Sequence, residues 1–318
     1  MKTEIKTTLL IHPEELDKVW IDRLVSLGYT TLSLHPRGGR KANETLAEML
    51  EKLKDDEYKS LIDYAISKGL KIEYEFHCMG YLLPRNLYSD HPEYFREDSQ
   101  GNRVSDYNLC VSNKEALEIV GQNALKLAKS LYKSEHNYYF WADDIKEEST
   151  CMCVKCRKLS ASDKNLIVMN SVITALRKEI PDAKLAYLAY QGTLTPPEIS
   201  KPNEGIFLEY APIDRKFDKT YSEQGEENIE NIKKLIDFFG KKDSKVLEYW
   251  TDNSMFSNWQ KPVKEYFPSY EVIEKDINMY ADMGFETISA FACFLGSDYI
   301  ELYGEPDVPG FRKLIRNN

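Results

Sequence analysis

Two adjacent carboxylates follow an aromatic segment near the middle of the chain. Asp143 and Asp144 come directly after Trp141 and Ala142. Burial of two neighbouring acids beside an apolar wall raises the pKa of at least one of them, which then holds a proton at neutral pH and can donate it. The pair therefore predicts a general acid. The alternative is that the two carboxylates cap the following helix or bind local backbone amides.

Three of the six cysteines stand just after this pair. Cys151, Cys153 and Cys156 lie within six residues of one another, a spacing too tight for disulfides that bridge distant segments. With a fourth thiolate from Cys110 or Cys78 they would complete a tetrahedral Zn²⁺ site. We expect such a zinc to be structural, with no cofactor for catalysis, because thiolates on every position leave the metal no open one. The alternatives are reduced thiols or one local disulfide.

Further polar and aromatic side chains fall at the ends of predicted strands, where they are candidates to bind a substrate. They are His12, His35, Arg37, His77, Tyr190, Tyr210, Trp250 and Asp252. The three histidines end consecutive strands and could also converge as metal ligands. For each of these side chains the alternative is structural, as a hydrogen-bonded histidine, a solvated loop residue or an aromatic ring packed beneath a loop.

The elements that position these residues alternate along the chain. Short apolar or β-branched runs predict eight strands, at 7–12, 30–35, 71–77, 138–142, 184–189, 205–210, 246–250 and 287–291. Amphipathic segments predict helices at 15–27, 45–68, 114–132, 163–179, 227–239 and 270–283. This alternation predicts an α/β fold, a (β/α)₈ TIM barrel. Only fifteen residues, with Pro196 and Pro197 among them, separate the fifth and sixth strands, so the fifth helix is reduced or missing.

The fold prediction has one rival, a doubly wound open sheet. That fold would need a Gly-x-Gly-x-x-Gly motif after the first strand for a dinucleotide, and none is present. We expect a single barrel domain over residues 1–318, with a long loop at 78–113 over the barrel mouth and a cysteine-rich loop at 145–160. In this barrel class the reacting groups stand at the carboxyl ends of the strands, which is where the candidates fall.

Charge and hydropathy exclude several classes of partner. The chain has 42 Lys and Arg against 52 Asp and Glu, a net charge of −10, which argues against binding nucleic acid or anionic lipid. No segment approaches the ~20 apolar residues of a membrane helix, and the first residues lack the apolar run of a signal peptide. We expect a soluble protein without nucleic-acid or membrane partners. Its compartment stays open, since a cytoplasmic protein and an exported one that has lost its leader would look alike.

Several motifs together resemble a known family over roughly residues 70–260. They are Asp143-Asp144 with Cys151-x-Cys153-x-x-Cys156, the run His-Pro-Glu-Tyr-Phe at 91–95, Asn-Leu-Cys-Val-Ser-Asn at 108–113, and Leu-Ala-Tyr-Leu-Ala-Tyr at 185–190 with Pro196-Pro197. These motifs are similar to those of domain of unknown function 4838, a family that resembles barrel glycoside hydrolases. The run Asp143-Asp144-Ile145 also resembles the acid pair of hexosaminidases of the O-GlcNAcase type.

The second resemblance implies hydrolysis of an N-acetylhexosaminide assisted by the substrate itself. It assigns Asp143 to the acetamido nitrogen and Asp144, as general acid, to the leaving oxygen. In the ordinary scheme with two protein carboxylates, Glu209 or Glu248 would be the partner. We therefore predict a glycoside hydrolase-like enzyme that cleaves a glycan. The alternatives are a barrel that binds carbohydrate without cleaving it and a metal-dependent hydrolase that uses the strand-end histidines.

Overall fold

The computed structural model describes residues 4–144 and 149–316 of the chain. Eight strands close into a barrel in which each strand neighbours the next along the chain and β8 neighbours β1. They are β1 (Lys6–Ile11), β2 (Thr31–Leu34), β3 (Lys71–His77), β4 (Asn137–Trp141), β5 (Lys184–Ala189), β6 (Ile206–Tyr210), β7 (Lys245–Glu248) and β8 (Thr287–Phe291). The predicted (β/α)₈ barrel is confirmed, with every predicted strand end within two residues of the observed one.

Helices follow every strand except β5. They are α1 (Lys18–Leu27), α2 (Ala42–Lys52), α3 (Asp56–Ser67), α4 (Met79–Leu82), α5 (Lys114–Ser130), α6 (Ala161–Leu176), α7 (Glu226–Phe239), α8 (Asn253–Phe256), α9 (Tyr270–Met283), α10 (Ser297–Tyr303) and α11 (Phe311–Leu314). Between β5 and β6 the chain makes only the 3₁₀ turn Gln191–Thr193, so the reduced fifth helix is confirmed.

The prediction of one helix over 45–68 is wrong, because the structure has two helices there. Asp55 lies between them in an extended conformation, and its carboxylate accepts a hydrogen bond of 2.9 Å from the Tyr58 backbone amide. An aspartate in this position caps the first turn of a new helix and so separates it from the preceding one. Apolar periodicity continues through both helices, which is why the pattern alone predicts a single one.

Contacts within the chain divide it into two compact units. The first comprises Met1–His35, Lys54–Glu73 and Glu209–Asn318, and the second comprises Pro36–Leu53 and Tyr74–Leu208. In the first unit β1 pairs in parallel with both β2 and β8, and β8 pairs with β7. These strands are buried along almost their whole length, as expected for parallel strands covered on both faces. The expectation of a single domain stays a prediction.

The second unit places the end of β3 beside the end of β4. The two strands are parallel and in a register that pairs His77 with Trp141, so the residues that follow each strand leave the sheet side by side. Helix α5 packs on α6 at Gly121, where an added Cβ would lie 2.9 Å from Ala175 Cβ. The absence of a side chain there allows the two helices to approach closely.

The long loop at 78–113 belongs to the second unit and is ordered by short elements. It contains α4, the 3₁₀ turns Arg85–Ser89 and Pro92–Tyr94, and an antiparallel bridge between Glu97 and Arg103. Residues 145–148 of the predicted cysteine-rich loop lie outside the described residues. No helix in the described part of the chain combines the length and apolarity needed to cross a membrane.

Candidate active site

The long loop holds the carboxylate of Asp143, two residues after β4. The Asn108 backbone amide donates to Asp143 Oδ2 at 2.6 Å, and Arg85 Nη2 donates to the same oxygen at 2.9 Å. In return the Asp143 amide donates to Asn108 Oδ1 at 3.0 Å, and Arg85 Nη1 donates to the Asn108 carbonyl at 2.7 Å. The three residues therefore form a closed hydrogen-bonded ring that fixes the position of this carboxylate.

The backbone of Asn108 is part of this arrangement. Its φ of 48° lies in the left-handed region, which asparagine tolerates better than most residues. Burial lowers the pKa of Arg85, and the charge of Asp143 opposes that shift. A positively charged guanidinium thus faces a carboxylate whose side chain is 12% exposed.

Asp144 has a different set of neighbours. The Tyr190 hydroxyl donates to Asp144 Oδ1 at 2.9 Å, and Gln191 Nε2 donates to the Tyr190 oxygen at 3.1 Å. On the other side of the carboxylate, a Cβ added to Gly38 would lie 3.4 Å from Asp144 Oδ2. The loop after β2 therefore approaches that oxygen through a residue without a side chain.

His77 lies beside Asp144 with its tautomer set by a hydrogen bond. Its Nδ1 is 2.5 Å from the Ala142 carbonyl, and because a carbonyl only accepts, Nδ1 carries the hydrogen. The ring packs edge-on against Trp141 at 5.1 Å and lies 6.3 Å from Tyr190. The structure thus brings together four predicted site residues: His77, Asp143, Asp144 and Tyr190.

A cavity of about 70 Å³ lies next to this group, between the loop and the first turns of α6. His77, Asp143 and Tyr190 contribute to its wall, so Asp143 faces this space, whereas Asp144 lies beside it, bonded to Tyr190. The rest of the wall combines apolar side chains with a few polar ones, namely Met79, Leu109, Val111, Val168 and Leu188 with Thr150, Lys164 and Asn165. Such a mixture is typical of small-molecule sites.

Sequence reasoning missed Arg85, Asn108 and Lys164 as members of this site. Asn108 stands in one of the motifs that carried the family resemblance, and this was the only signal for it. Arg37 was predicted to bind substrate. In the structure it is exposed on the loop after β2, and its backbone carbonyl accepts a hydrogen bond of 2.7 Å from the Thr45 hydroxyl.

The other predicted carboxylates belong to the first unit, where both are buried. Arg215 Nη1 and the Tyr280 hydroxyl donate to Glu248 Oε1 at 2.6 and 2.7 Å. Burial raises the pKa of Glu248 to about 7, although the charge of Arg215 opposes the shift. Glu209 Oε1 lies 3.8 Å from Lys245 Nζ. Both glutamates therefore face cations of their own unit.

Two predicted histidines also lie in the first unit, and they contact each other. His12 Nδ1 donates to the His35 carbonyl at 2.8 Å, and the two rings stack at 6.1 Å. His12 belongs to a potential ligand group with Glu15 and Cys293, whereas among the described residues neither His35 nor His77 belongs to any such group. The three histidines do not form one ligand set.

The remaining three predicted binding residues of the first unit make internal contacts. Tyr210 shares a hydrogen bond of 2.5 Å with the Tyr221 hydroxyl, and Trp250 Nε1 donates to Asp276 at 3.2 Å. Asp252 caps α8 through the Ser254 amide, and burial raises its pKa to about 6. All three are almost fully buried. Burial with internal partners is what the alternative to substrate binding, a structural role, predicts for these side chains.

Four of the six cysteines form one cluster in the second unit. The sulfur atoms of Cys110, Cys151, Cys153 and Cys156 all lie within 4.8 Å of one another, and all four residues are buried. Cys78 lies apart, with its thiol 3.8 Å from the Trp141 carbonyl. Of the two candidates for a fourth cysteine, the structure therefore selects Cys110.

Comparison with known proteins gives a family and a fold. A family model described as "Domain of unknown function (DUF4838)" matches residues 44–296, and no curated protein matches the chain. Among solved structures, the β-galactosidase from Rahnella sp. R3 is similar with a TM-score of 0.57 and 11% identity, over 98% of this chain and 55% of that one.

Two further structures cover more of their own chains. One holds the GH20 catalytic modules of the pneumococcal exo-β-D-N-acetylglucosaminidase StrH, with a TM-score of 0.52 and 14% identity over 98% of this chain and 81% of that one. The other is PbGH5A, a family 5 glycoside hydrolase from Prevotella bryantii B14, with a TM-score of 0.51 and 12% identity, over 95% of this chain and 86% of that one. At these identities the likeness shows a shared barrel fold.

Proposed function

The chain belongs to the DUF4838 family, and from that premise we propose that it is a glycoside hydrolase that cleaves a glycan. The observation that carries the proposal is the contrast between two adjacent carboxylates. Asp143 accepts from a guanidinium and a backbone amide, whereas Asp144 accepts from a tyrosine hydroxyl. Neighbouring carboxylates in different surroundings take different roles in glycosidases, one as the acid and the other as its charged partner.

Asp144 is the general acid of this proposal. Its Oδ1 accepts the hydroxyl hydrogen of Tyr190, so the transferable proton belongs on Oδ2, the oxygen beside Gly38. From there it passes to the glycosidic oxygen as the bond to the anomeric carbon breaks. Tyr190 holds the carboxyl group in one orientation during this step.

Asp143 positions the substrate. Its Oδ2 accepts two hydrogen bonds, and among the described residues Oδ1 has no partner. Oδ1 can therefore accept the N–H of an acetamido group, whose own carbonyl oxygen then attacks the anomeric carbon in place of a protein nucleophile. The ring formed with Arg85 and Asn108 keeps this acceptor fixed, as such positioning requires.

The test is the substitution Asp144→Asn, assayed on aryl N-acetylglucosaminides and N-acetylgalactosaminides. The amide keeps an oxygen for the Tyr190 hydroxyl and cannot donate the proton. We expect a loss of kcat/KM of about 10²- to 10⁴-fold for a poor leaving group and a much smaller loss for a nitrophenol that departs as a stable anion. The exposed residue Asp90 offers a matched control, since Asp90→Asn should leave both rates unchanged.

Other outcomes would assign the barrel differently. Full activity of Asp144→Asn would remove the proposed acid. Saturable sugar binding without product from any glycoside would favour a barrel that binds carbohydrate and does not cleave it. Equal turnover of substrates with and without the acetamido group would exclude assistance by the substrate and favour a scheme with a second protein carboxylate.

A further inference from the structure

We propose that Cys110, Cys151, Cys153 and Cys156 bind one zinc ion, which fixes the loop beside the acid pair. The spacing of the sulfur atoms is the first support. Zn–S bonds of about 2.3 Å in a tetrahedral site place the sulfur atoms about 3.8 Å apart. Cys110 Sγ lies 3.8 Å from Cys153 Sγ and 3.9 Å from Cys156 Sγ. All four sulfurs fall within 4.8 Å of one another.

These distances do not fit disulfides. An S–S bond is about 2.05 Å long, and all four cysteines are free. Each side chain is buried, so the cluster packs four sulfur atoms around a common centre away from solvent. A closed set of four cysteines is the arrangement of structural zinc sites.

Hydrogen-bond donors directed at the sulfur atoms are the second, independent support. The Glu97 backbone amide donates to Cys151 Sγ at 3.4 Å, and Arg103 Nη1 lies 3.9 Å from the same sulfur. The Ser112 hydroxyl lies 3.2 Å from Cys110 Sγ. Amide, hydroxyl and guanidinium groups around sulfur stabilise thiolates, the form that binds metal, and Arg103 offsets part of the negative charge of a tetrathiolate centre.

The position of the cluster links it to the acid pair. Cys110 follows Asn108 by two residues, and Asn108 holds Asp143 through its amide and its side chain. Cys151 lies in the wall of the cavity. One metal ion would therefore tie the segment that orients Asp143 to the segment that closes the cavity. This inference stands independently of the proposed hydrolysis.

Elemental analysis of the whole protein tests the site, and we expect one zinc per chain. X-ray absorption at the zinc edge should give four sulfur neighbours at about 2.3 Å, and replacement by Co²⁺ should give the intense visible bands of tetrahedral thiolate coordination. These measurements use the unaltered chain and do not depend on a variant that folds. Cys153→Ser should lose the zinc, while Cys78→Ala, at a buried cysteine outside the cluster, should keep it.

Three results would overturn the zinc site. They are no metal after reconstitution under reducing conditions, oxygen or nitrogen ligands in place of the four sulfurs, and equal zinc content in Cys153→Ser and the unaltered protein.

The buried ammonium of Lys164, in the wall of the same cavity, carries a second inference. The side chain is 6% exposed, and its Nζ donates to the Thr150 hydroxyl at 2.9 Å. Among the described residues no carboxylate pairs with it. The adjacent Asp163 uses its carboxylate on the Ser160 hydroxyl and on the backbone amides of 199 and 200. A buried ammonium whose hydrogen-bond partner among the described residues is a neutral hydroxyl favours an anionic group in the cavity beside it.

From this we infer that the cavity binds the carboxylate of an acidic sugar. Asn165, the next residue along the chain, also lines this cavity. Lys164 has two further N–H donors for a carboxylate, and the polar residues Thr150 and Asn165 of the same wall can bond to sugar hydroxyls. A hexuronate carries both groups on one ring. This inference rests on the proposed function only in naming the substrate class.

Calorimetry with D-glucuronate, D-glucose and inorganic sulfate tests this binding without turnover. We expect glucuronate to bind about tenfold more tightly than glucose, and Lys164→Met to abolish the difference. Lys178→Met, at an exposed lysine near the other end of α6, should preserve it. Equal affinities for glucuronate and glucose would overturn the inference, and sulfate binding as tight as glucuronate would show a general oxyanion site instead. Either failure would leave the Asp144 test unaffected.

Discussion

Replacing Arg85 by Met tests whether the long loop holds the acid pair in place. Methionine keeps the apolar stem of the side chain and removes the guanidinium group. The substitution deletes the bond of 2.9 Å to Asp143 Oδ2 and the bond of 2.7 Å to the Asn108 carbonyl. It also removes the cation that lies 5.6 Å from the centre of the Phe95 ring.

The expected loss follows from these three contacts. A hydrogen bond between charged groups contributes about 1.5–3 kcal/mol, and one to a neutral carbonyl contributes about 1 kcal/mol. The cation over an aromatic ring adds about 0.5 kcal/mol. Because the Arg85 and Asp143 side chains are 21% and 12% exposed, water replaces part of each bond. We therefore expect the free energy of unfolding to fall by about 3 kcal/mol.

Urea unfolding, followed by circular dichroism, measures this loss, and an unchanged m-value would show that the native and unfolded states keep their compactness. Lys234→Met is the control, since it removes an ion pair with Glu230 whose partners are 53% and 65% exposed and should cost less than about 0.5 kcal/mol. A double substitution with Asp143→Asn isolates the coupling between the two charges. A loss for Arg85→Met no larger than that of the control would refute the reasoning.

Two further predictions concern stability. The pKa of Glu248 is raised by burial from 4.5 to about 7. Its stabilising contribution to the free energy of unfolding is therefore full below about pH 4.5 and is lost as the pH rises through about 7. The difference in unfolding free energy between the unaltered protein and Glu248→Gln should fall by about 3 kcal/mol over that window, and a difference that rises with pH would contradict the assignment. Gly205→Ala should destabilise by about 1 kcal/mol more than Gly69→Ala: both glycines have a positive φ, of 97° and 92°, but only at Gly205 would the new Cβ meet a backbone oxygen, at 2.9 Å. Equal losses, measured by urea unfolding, would exclude the steric cost.

The strands were the most predictable part of the chain, because a buried parallel strand is a short apolar run that differs from its flanks. The ranges of β3, β5 and β8 coincide with the predicted ones. Since β4 is among these runs, the sequence also places Asp143 and Asp144 just after a strand. The pairing of His77 with Trp141 then brings His77 to the same edge, as the sequence of the strand ends had indicated.

The partners of the acid pair could not be predicted in this way. Arg85 lies 58 residues before Asp143, and Asn108 lies 35 residues before it, both in a loop without helical or strand periodicity. Their contacts depend on local conformations such as the positive φ of Asn108, which no spacing rule specifies. Lys164 was missed for another reason, because it lies within a correctly predicted helix whose pattern does not distinguish a buried lysine from a solvated one.

These partners show that loops, and not strands alone, determine the geometry of the candidate site. Asn108 bonds to Asp143, and Cys110, two residues later, belongs to the sulfur cluster. The strands β3, β4 and β5 pair through their own backbone hydrogen bonds, so the loss of a metal from the cluster would act first on the loop. Chelation should therefore disturb the orientation of Asp143 before it reduces the strand content. If far-ultraviolet circular dichroism and binding of a sugar ligand were lost together on chelation, the cluster would support the whole barrel and not the loop.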